Sequence, residues 1–363
     1  VPRGDAVRIA IIGPMGSGKT TVFDLLTGHI EKAEAAARHP GASIGMVDVP
    51  DRRFDALAAL FPEKKCTAAK LEFADVPPIA GMKKDHEEEG GTLAFIREAD
   101  ALLKVIRAFE NPSIPHFAGS VDPARDLQSL DSELLLPDLG IVERRVRKLE
   151  ASSQKPTRTQ REEKEELAAL APCLDALEAS RNIRDASLTR EQQRLLRGFR
   201  FLSEKPSVIL LNIGDDQLGK IDSAPALDVA EKVLPVAAEL ELELTQLEAA
   251  EREQFMADYG IKQLSNEEIM RGILDAAGIM TFYTLVGQEM RAWLLPEGST
   301  ALDAASMIHT DIARGFIRAE VIHADDLISL KTMKEAKAHG KLRQEGREHP
   351  VNDGDVLDIR FNV

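Results

Sequence analysis

Gly13, Pro14, Met15, Gly16, Ser17, Gly18, Lys19 and Thr20 match the spacing G-x-x-x-x-G-K-S/T. Residues of these types at this spacing make a cradle for phosphate. Backbone N–H groups of the loop, and of a helix starting at its end, can wrap a diphosphate. Glycines let that backbone approach closely. Lys19 is placed to bridge β- and γ-phosphate oxygens, and Thr20 to set its hydroxyl on Mg²⁺. Thr21 follows in the same turn and completes the candidate contacts of the loop.

Two further groups fit the same chemistry. Asp75 ends the apolar stretch LEFAD, about 55 residues after Lys19. A carboxylate at a strand end there can steady Mg²⁺ through water. Lys19, Thr20 and Asp75 are therefore the candidate catalytic residues, and Thr20 and Asp75 the candidate metal ligands. Asn212-Ile213-Gly214-Asp215 follows the run SVILL, where Asn212, Ile213 and Asp215 can meet a nucleobase edge. Ala237 and Ala238, at the end of VLPVA, are the last candidate nucleotide contacts. Taken alone, NIGD also reads as a strand-ending turn.

These residues need a parallel α/β frame. Val7–Ile12 is an apolar, β-branched run ahead of the glycines, and TTVFDLLTG after them is helix-like. Leu71–Val76, Ala101–Ala108, Ser207–Leu211 and Val233–Ala237 are further strand candidates. A long gap, roughly 110–202, interrupts the series. Its second part reads as charged helices, with Leu167, Leu170, Leu174 and Leu177 at helical spacing and a helix start at Thr189. An antiparallel helical hairpin inserted into the α/β domain is the simplest expectation; a mere spacer is the plainer one. From about Met280, TFYTLVG and EMRAWLLP suggest a hairpin, Ala301–His309 a helix, and Phe316–Ile322 and Val356–Val363 strands. Trp293 and Met290 read as core there. The expectation is a small α+β domain around one helix.

Composition bounds the alternatives. The 363 residues carry 46 Lys+Arg against 61 Asp+Glu, a net charge of −15, with only 4% aromatics. Bulk charge argues against a DNA-coating protein, and scarce aromatics against base stacking. Cys66 and Cys173 stand far apart, so no disulfide framework or zinc spacing arises, and a reducing, cytoplasmic compartment fits. No apolar run reaches the roughly 18 residues of a membrane span. VPRG at the start reads as a cloning remnant. Resolved by segment, residues 139–202 hold 14 Lys+Arg and 10 Asp+Glu, while residues 215–268 hold 4 and 14. Arg144, Arg145 and Arg147 are singled out in that basic segment as the charges a salt-sensitive RNA contact would use, should the chain have one. Glu239, Glu241 and Glu243, and the acidic run Glu87–Glu89, read as solvated faces.

Longer stretches resemble a family, the YchF / Obg-like ATPases. They are GMVDVPDRRFDALAAL (45–60), FIREADALLKVIRAFEN (95–111), FMADYGIKQL (255–264), RAWLLPEGSTALDAASMIHTDIARGFIRAEVI (291–322) and GKLRQEGREHPVNDGDVLDIRFNV (340–363). The resemblance implies a P-loop G-domain-like sheet (5–110 and 203–279), an inserted α-helical coiled-coil domain (111–202) and a C-terminal ubiquitin-like TGS domain (280–363). It implies binding and hydrolysis of ATP in preference to GTP, and association with ribosomes, with no DNA or membrane partner expected. The family also carries an apolar residue in place of the Gln that orients water in ordinary GTPases.

Several positions depart from the family. Its loop resembles GLPNVGKST, against GPMGSGKTT here, and its Asn-x-x-Glu becomes Asn212-x-x-Asp215, leaving ATP and GTP both open. The Asp-x-x-Gly of the second switch falls on Asp75-Val76-Pro77-Pro78, and Pro78 has no N–H to sense a γ-phosphate; Gly81 lies three residues on. No Thr stands between Glu31 and Gly45, where His39 and Ser43 are the substitutes, and the family has a His near the position of Lys104. His39 or His86 could orient a water. A slow, ribosome-associated Mg²⁺–nucleotide switch is the first reading. A nucleotide-dependent scaffold with little hydrolysis is the second. A metabolite kinase is a third, but its Arg-rich lid would have to come from 144–200, which reads as long helices.

Overall fold

The computed structural model describes residues 6–28, 42–79, 86–153, 160–218, 227 and 229–362. His39, Gly81 and most of the first switch segment lie outside the described residues, as do the side chains of His86 and Glu87–Glu89.

In chain order the strands are β1 (Ala6–Ile12), β2 (Ser43–Asp48), β3 (Lys65–Thr67), β4 (Lys70–Asp75), β5 (Ala101–Arg107), β6 (Ser207–Asn212), β7 (Val233–Val236), β8 (Ile279–Val286), β9 (Glu289–Pro296), β10 (Phe316–His323), β11 (Arg343–Glu345) and β12 (Asp355–Phe361). The helices are α1 (Lys19–Thr27), α2 (Arg52–Leu60), α3 (His86–Glu98), α4 (Pro123–Ser153), α5 (Gln160–Glu178), α6 (Arg190–Leu196), α7 (Ala238–Gln246), α8 (Ala249–Asp258), α9 (Asn266–Ala276), α10 (Ala301–Ile308), α11 (Thr310–Arg314), α12 (Ala324–Leu330) and α13 (Met333–Ala338). The chain divides into two compact units: Ile9–Gly45 with Phe73–Ser265, and Val1–Arg8 with Met46–Glu72 and Asn266–Val363.

In the first of these the sheet order is β2-β4-β1-β5-β6-β7, and β1, β5, β6 and β7 pair in parallel. All seven residues of β5 and all six of β6 are buried, as a central parallel strand covered on both faces requires. The crossing β1-to-β5 neighbours bring the ends of β1, β5 and β6 to one edge, where the phosphate loop leaves β1.

The helical hairpin begins earlier than its charge pattern suggests. α4 starts at Pro123, the residue type whose missing N–H costs nothing in a first turn. Its first half buries Leu127, Leu130 and Leu134 in the core of the α/β sheet. Its second half packs Val142 and Leu149 with Leu170, Cys173 and Leu177 of α5. Asp138 sits at the transition, fully buried, accepting from Arg97 Nη1 at 2.9 Å, Ser203 N at 2.8 Å and Ser203 Oγ at 2.9 Å. Lys104, in the middle of β5, makes a second tie: its Nζ reaches Asp131 of α4 at 2.7 Å and Glu231 at 3.1 Å. Lys104 is therefore a buried, paired ammonium joining sheet to helix.

The other unit holds a mixed sheet of order β11-β10-β12-β8-β9-β3. β8 and β9 form the expected hairpin, β12 runs parallel to β8, and β3 adds a parallel edge beside β9. Trp293 and Met290 are core. The single helix expected there becomes four, α10 to α13. His309 caps α11 by accepting from Asp311 N at 3.1 Å. Tyr283 donates to Asp51, whose other oxygen caps α2 at Arg53 N and Phe54 N. β2 and β3 carry no long apolar alternation, which is why neither stands out in the sequence.

Candidate functional site

β1 ends at Ile12 and α1 begins at Lys19, so the six residues between them turn from strand to helix axis. Two glycines make that turn possible for steric reasons. A Cβ on Gly13 would lie 2.3 Å from Val105 O of the neighbouring strand. Gly18 holds φ 93° as the N-cap of α1, and a Cβ there would lie 2.2 Å from Asn212 Nδ2.

Lys19 is 7% exposed. Its ammonium donates to Gly13 O at 3.0 Å and Pro14 O at 3.1 Å, two carbonyls of its own loop. Burial lowers its pKa to about 8, with Asp75 opposing that shift. The two carbonyls hold the ammonium in place, and a buried cation beside a helix N-terminus attracts an anion. Thr20 Oγ1 donates to Asp75 Oδ2 at 2.8 Å. The structure thus brings all three candidate catalytic residues to one place, although Asp75 comes from β4.

The cavity beside them measures about 420 Å³. Gly16, Gly18, Lys19, Thr20 and Thr21 form its phosphate end, with Asp75, Val76, Pro77 and Pro78 along one side. Asn212, Ile213, Gly214 and Asp215 line the far end with Phe109, Ile114 lies beside Gly16 of the phosphate loop, and Asn111 and Glu239 complete the lining. Ile79, next after Pro78, packs against the α/β core.

Some expected contacts take other roles. Gly13, Pro14 and Ser17 are buried behind the cavity wall, and the Met15 side chain is exposed. The Asn212 amide is committed within the protein: Nδ2 donates to Ser17 O at 3.0 Å, and Oδ1 accepts from Ala238 N at 3.3 Å. Asn212 therefore clasps the phosphate loop to the start of α7. Ala237 and Ala238 are buried as the N-cap and first residue of α7, and it is Glu239 that reaches the cavity. Glu241 corrects the solvated-face reading. It is buried, accepts from Ser265 N at 2.7 Å and Ser265 Oγ at 2.6 Å, and burial holds its carboxyl above the usual range.

The wall that sequence reasoning missed hangs on Arg107. This guanidinium is 3% exposed at the end of β5. Nε donates to Phe109 O at 2.9 Å, Nη1 to Ile114 O at 3.0 Å and Nη2 to Asn111 O at 3.4 Å. Its Cζ lies 4.7 Å over the Phe109 ring. One planar donor thus binds the three loop residues that face the cavity. The signal available beforehand was an Arg ending the strand ALLKVIR, within the family-like stretch 95–111, and an Arg there reads equally as a strand terminus.

A phosphate loop at the edge of a parallel sheet, with a Lys, a Thr and a strand-end Asp converging on one cavity, defines a P-loop NTPase. Comparison with known proteins narrows the class. The YchF-GTPase_C family, described as "Protein of unknown function (DUF933)", matches residues 279–362. The "Ribosome-binding ATPase YchF" of Haemophilus ducreyi is 36% identical, over 98% of this chain and 99% of that protein. The Bacillus subtilis protein of the same name is 33% identical over 99% of this chain and all of its own. The Schizosaccharomyces pombe YchF GTPase structure aligns with a TM-score of 0.83 at 26% identity, covering 98% of each chain. The chain belongs to the YchF family.

Proposed function

We propose that this protein binds a Mg²⁺–purine nucleotide, ATP or GTP, in the cavity of Gly13–Thr20, hydrolyses it slowly, and acts as a switch on the ribosome. The observation that carries the nucleotide part is the convergence of a buried Lys19 ammonium with the Thr20–Asp75 pair. The donor set fits Mg²⁺: a hydroxyl and a carboxylate in contact are hard oxygen ligands. Thr20 and Asp75 would hold the ion, which supplies charge neutralisation to the phosphates when bound. Lys19 would neutralise the β- and γ-phosphates, and the loop N–H groups would orient them. Asp215 and Glu239 put acceptors at the base end, where both adenine and guanine present amino donors. The ribosomal part rests on relatives named for ribosome binding. In this reading residues 5–110 with 203–279 form the nucleotide domain, 111–202 the helical insertion and 280–363 a TGS domain. Among the described residues no helix is long and apolar enough to cross a membrane.

A second reading has one observation behind it. Pro77 and Pro78 both line the cavity beside Asp75. Pro78 has no N–H to offer a γ-phosphate, and Ile79 has no group to orient water. A nucleotide-dependent scaffold would need neither. Steady-state phosphate release at saturating ATP and GTP separates the two. Turnover above that of Lys19→Ala supports the NTPase; equal rates support the scaffold. Nucleotide titration of the wild type checks binding independently, and equal affinity for ADP and ATP would show that γ-phosphate sensing is lost.

A further inference from the structure

The helical insertion was expected to meet RNA through its positive charge, and the structure changes where that charge is available. α4 and α5 together hold seven basic and twelve acidic residues. Arg145 makes two 2.6 Å bonds to Glu166, Arg147 bonds Glu143 at 2.9 Å, and Arg161 bonds Glu165 at 2.9 Å. Of the three arginines singled out on α4, only Arg144 lacks a carboxylate partner among the described residues. By contrast, residues 181–200 hold six arginines and two acids. Arg184 is spent internally on Glu231 and Ser207. Arg190, Arg194 and Arg197 are exposed, and none has an ion-pair or hydrogen-bond partner among the described residues.

These three share one face. At 3.6 residues per turn, positions i, i+4 and i+7 fall within a sector of about 60°. Leu196 lies on the opposite side and is buried in the hairpin core. The element that carries them is held firmly. Thr189 and Gln192 form a capping box, Gln192 Nε2 donates to Ala168 O of α5 at 3.3 Å, and the chain leaves through Phe199 stacked on buried Phe201 at 5.2 Å. A row of unpaired arginines on a fixed helix suits phosphate, because the guanidinium fork binds phosphate oxygens bidentately. Arg190 and Arg194 stand about 6 Å apart along the axis, and Arg197, at the C-cap of α6, about 4.5 Å further on; a row of this length follows a sugar–phosphate backbone rather than a single anion.

We propose that the face of Arg190, Arg194 and Arg197 docks on the phosphate backbone of structured RNA, and that this is the ribosome contact of the helical insertion. The second clause rests on the ribosomal reading above. The face is distinct from the nucleotide cavity, so its loss leaves nucleotide binding intact.

The test compares the full-length wild type with Arg190→Gln/Arg194→Gln/Arg197→Gln, and with Arg147→Gln as a paired-arginine control. Binding to deproteinised ribosomal RNA is measured from about 50 to 200 mM salt, alongside cosedimentation with ribosomes. Each phosphate contact contributes about 0.7–0.9 to the slope of log affinity against log salt. The triple variant should lose about 2–3 from that slope and at least about tenfold in affinity, with Arg147→Gln unchanged. Unaltered nucleotide affinity shows that the variant is folded. RNA binding by the triple variant with wild-type slope and affinity would overturn the proposal. So would loss of ribosomes with RNA binding retained, which would point to an acidic protein partner. Arginine-dependent RNA binding by a wild type that ignores ribosomes would uphold the surface and sink the ribosomal reading instead.

Discussion

Arg107→Ala is the substitution that most directly tests how the side wall of the cavity is built. In the wild type one buried guanidinium donates to three carbonyls, two at 2.9–3.0 Å and one at 3.4 Å, and stacks on the Phe109 ring. Hydrogen bonds with a charged donor contribute about 1.5–3 kcal/mol each, and a partly desolvated cation–π contact about 1–2 kcal/mol. Counting the long bond as weak, the gross interaction is about 5–7 kcal/mol. Alanine also removes the desolvation cost of a buried cation, which is several kcal/mol. The net loss of folding stability is therefore small, about 1–3 kcal/mol. The larger effect falls on the wall. Phe109, Asn111 and Ile114 lose their common anchor, and nucleotide affinity should drop about ten- to a hundredfold, or about 1.4–2.8 kcal/mol. The assay is competition with a fluorescent nucleotide, run in parallel for ATP, GTP and tripolyphosphate. Tripolyphosphate has no base, so its affinity should change much less than that of the nucleotides. Arg107→Lys should recover little, because an ammonium cannot reach three carbonyls in a plane. Two results would refute the reasoning. Unchanged nucleotide affinity with a lowered melting temperature would make Arg107 a structural residue only. An equal loss for tripolyphosphate would mean that it acts on the phosphates through charge, across the short distance to Gly16, where a Cβ would sit 3.7 Å from its Nη1.

Two further predictions concern the phosphate loop. Gly18→Ala places a methyl 2.2 Å from Asn212 Nδ2 at a positive φ, so it should abolish measurable nucleotide binding and lower the melting temperature, whereas Gly28→Ala, with φ 65° but open space around it, should cost stability alone. Lys19, held near 8 by burial, is charged below that pH, so nucleotide affinity should weaken as pH climbs past 8, by up to about tenfold per unit. Because its unfolded value of 10.5 is higher, the unfolded chain binds the extra proton between about 8 and 10.5, and the nucleotide-free fold gains stability from this group over that window. Lys19→Ala should flatten both trends in a calorimetric titration and a melting series; retention of either by the variant would assign it to another group.

The phosphate end of the site was legible because its chemistry is local. One loop supplies the N–H groups, the Lys and the Thr, so eight consecutive residues carry the signal. Asp75 was legible for a related reason: a strand end follows from a short apolar run, and the parallel fold aligns strand ends along one edge. The base end was only half legible. Asn212 could be placed beside the cavity, but the bonds to Ser17 and Ala238 that occupy its amide come from segments far away in the chain. Phe109 and Asn111 end the family-like stretch 95–111 and Ile114 lies beyond it, but nothing in that stretch says that they line the cavity; they become a wall only when Arg107 gathers their carbonyls.

By itself the sequence determined what repeats or runs contiguously: the phosphate loop, the buried parallel strands, the heptad-like leucines of α5, and the C-terminal block that places the chain in the YchF family. Only the tertiary structure decided which charges are spent and which are free. Arg145 and Arg194 are the same residue type in the same helical insertion, yet one is neutralised across the hairpin by Glu166 and the other faces solvent. Glu241 is buried on Ser265, while Glu239, two residues earlier, reaches the nucleotide cavity. The physical reason is the same in each case. Composition and spacing report how much charge a segment carries, but burial and pairing depend on partners that the fold brings from elsewhere in the chain.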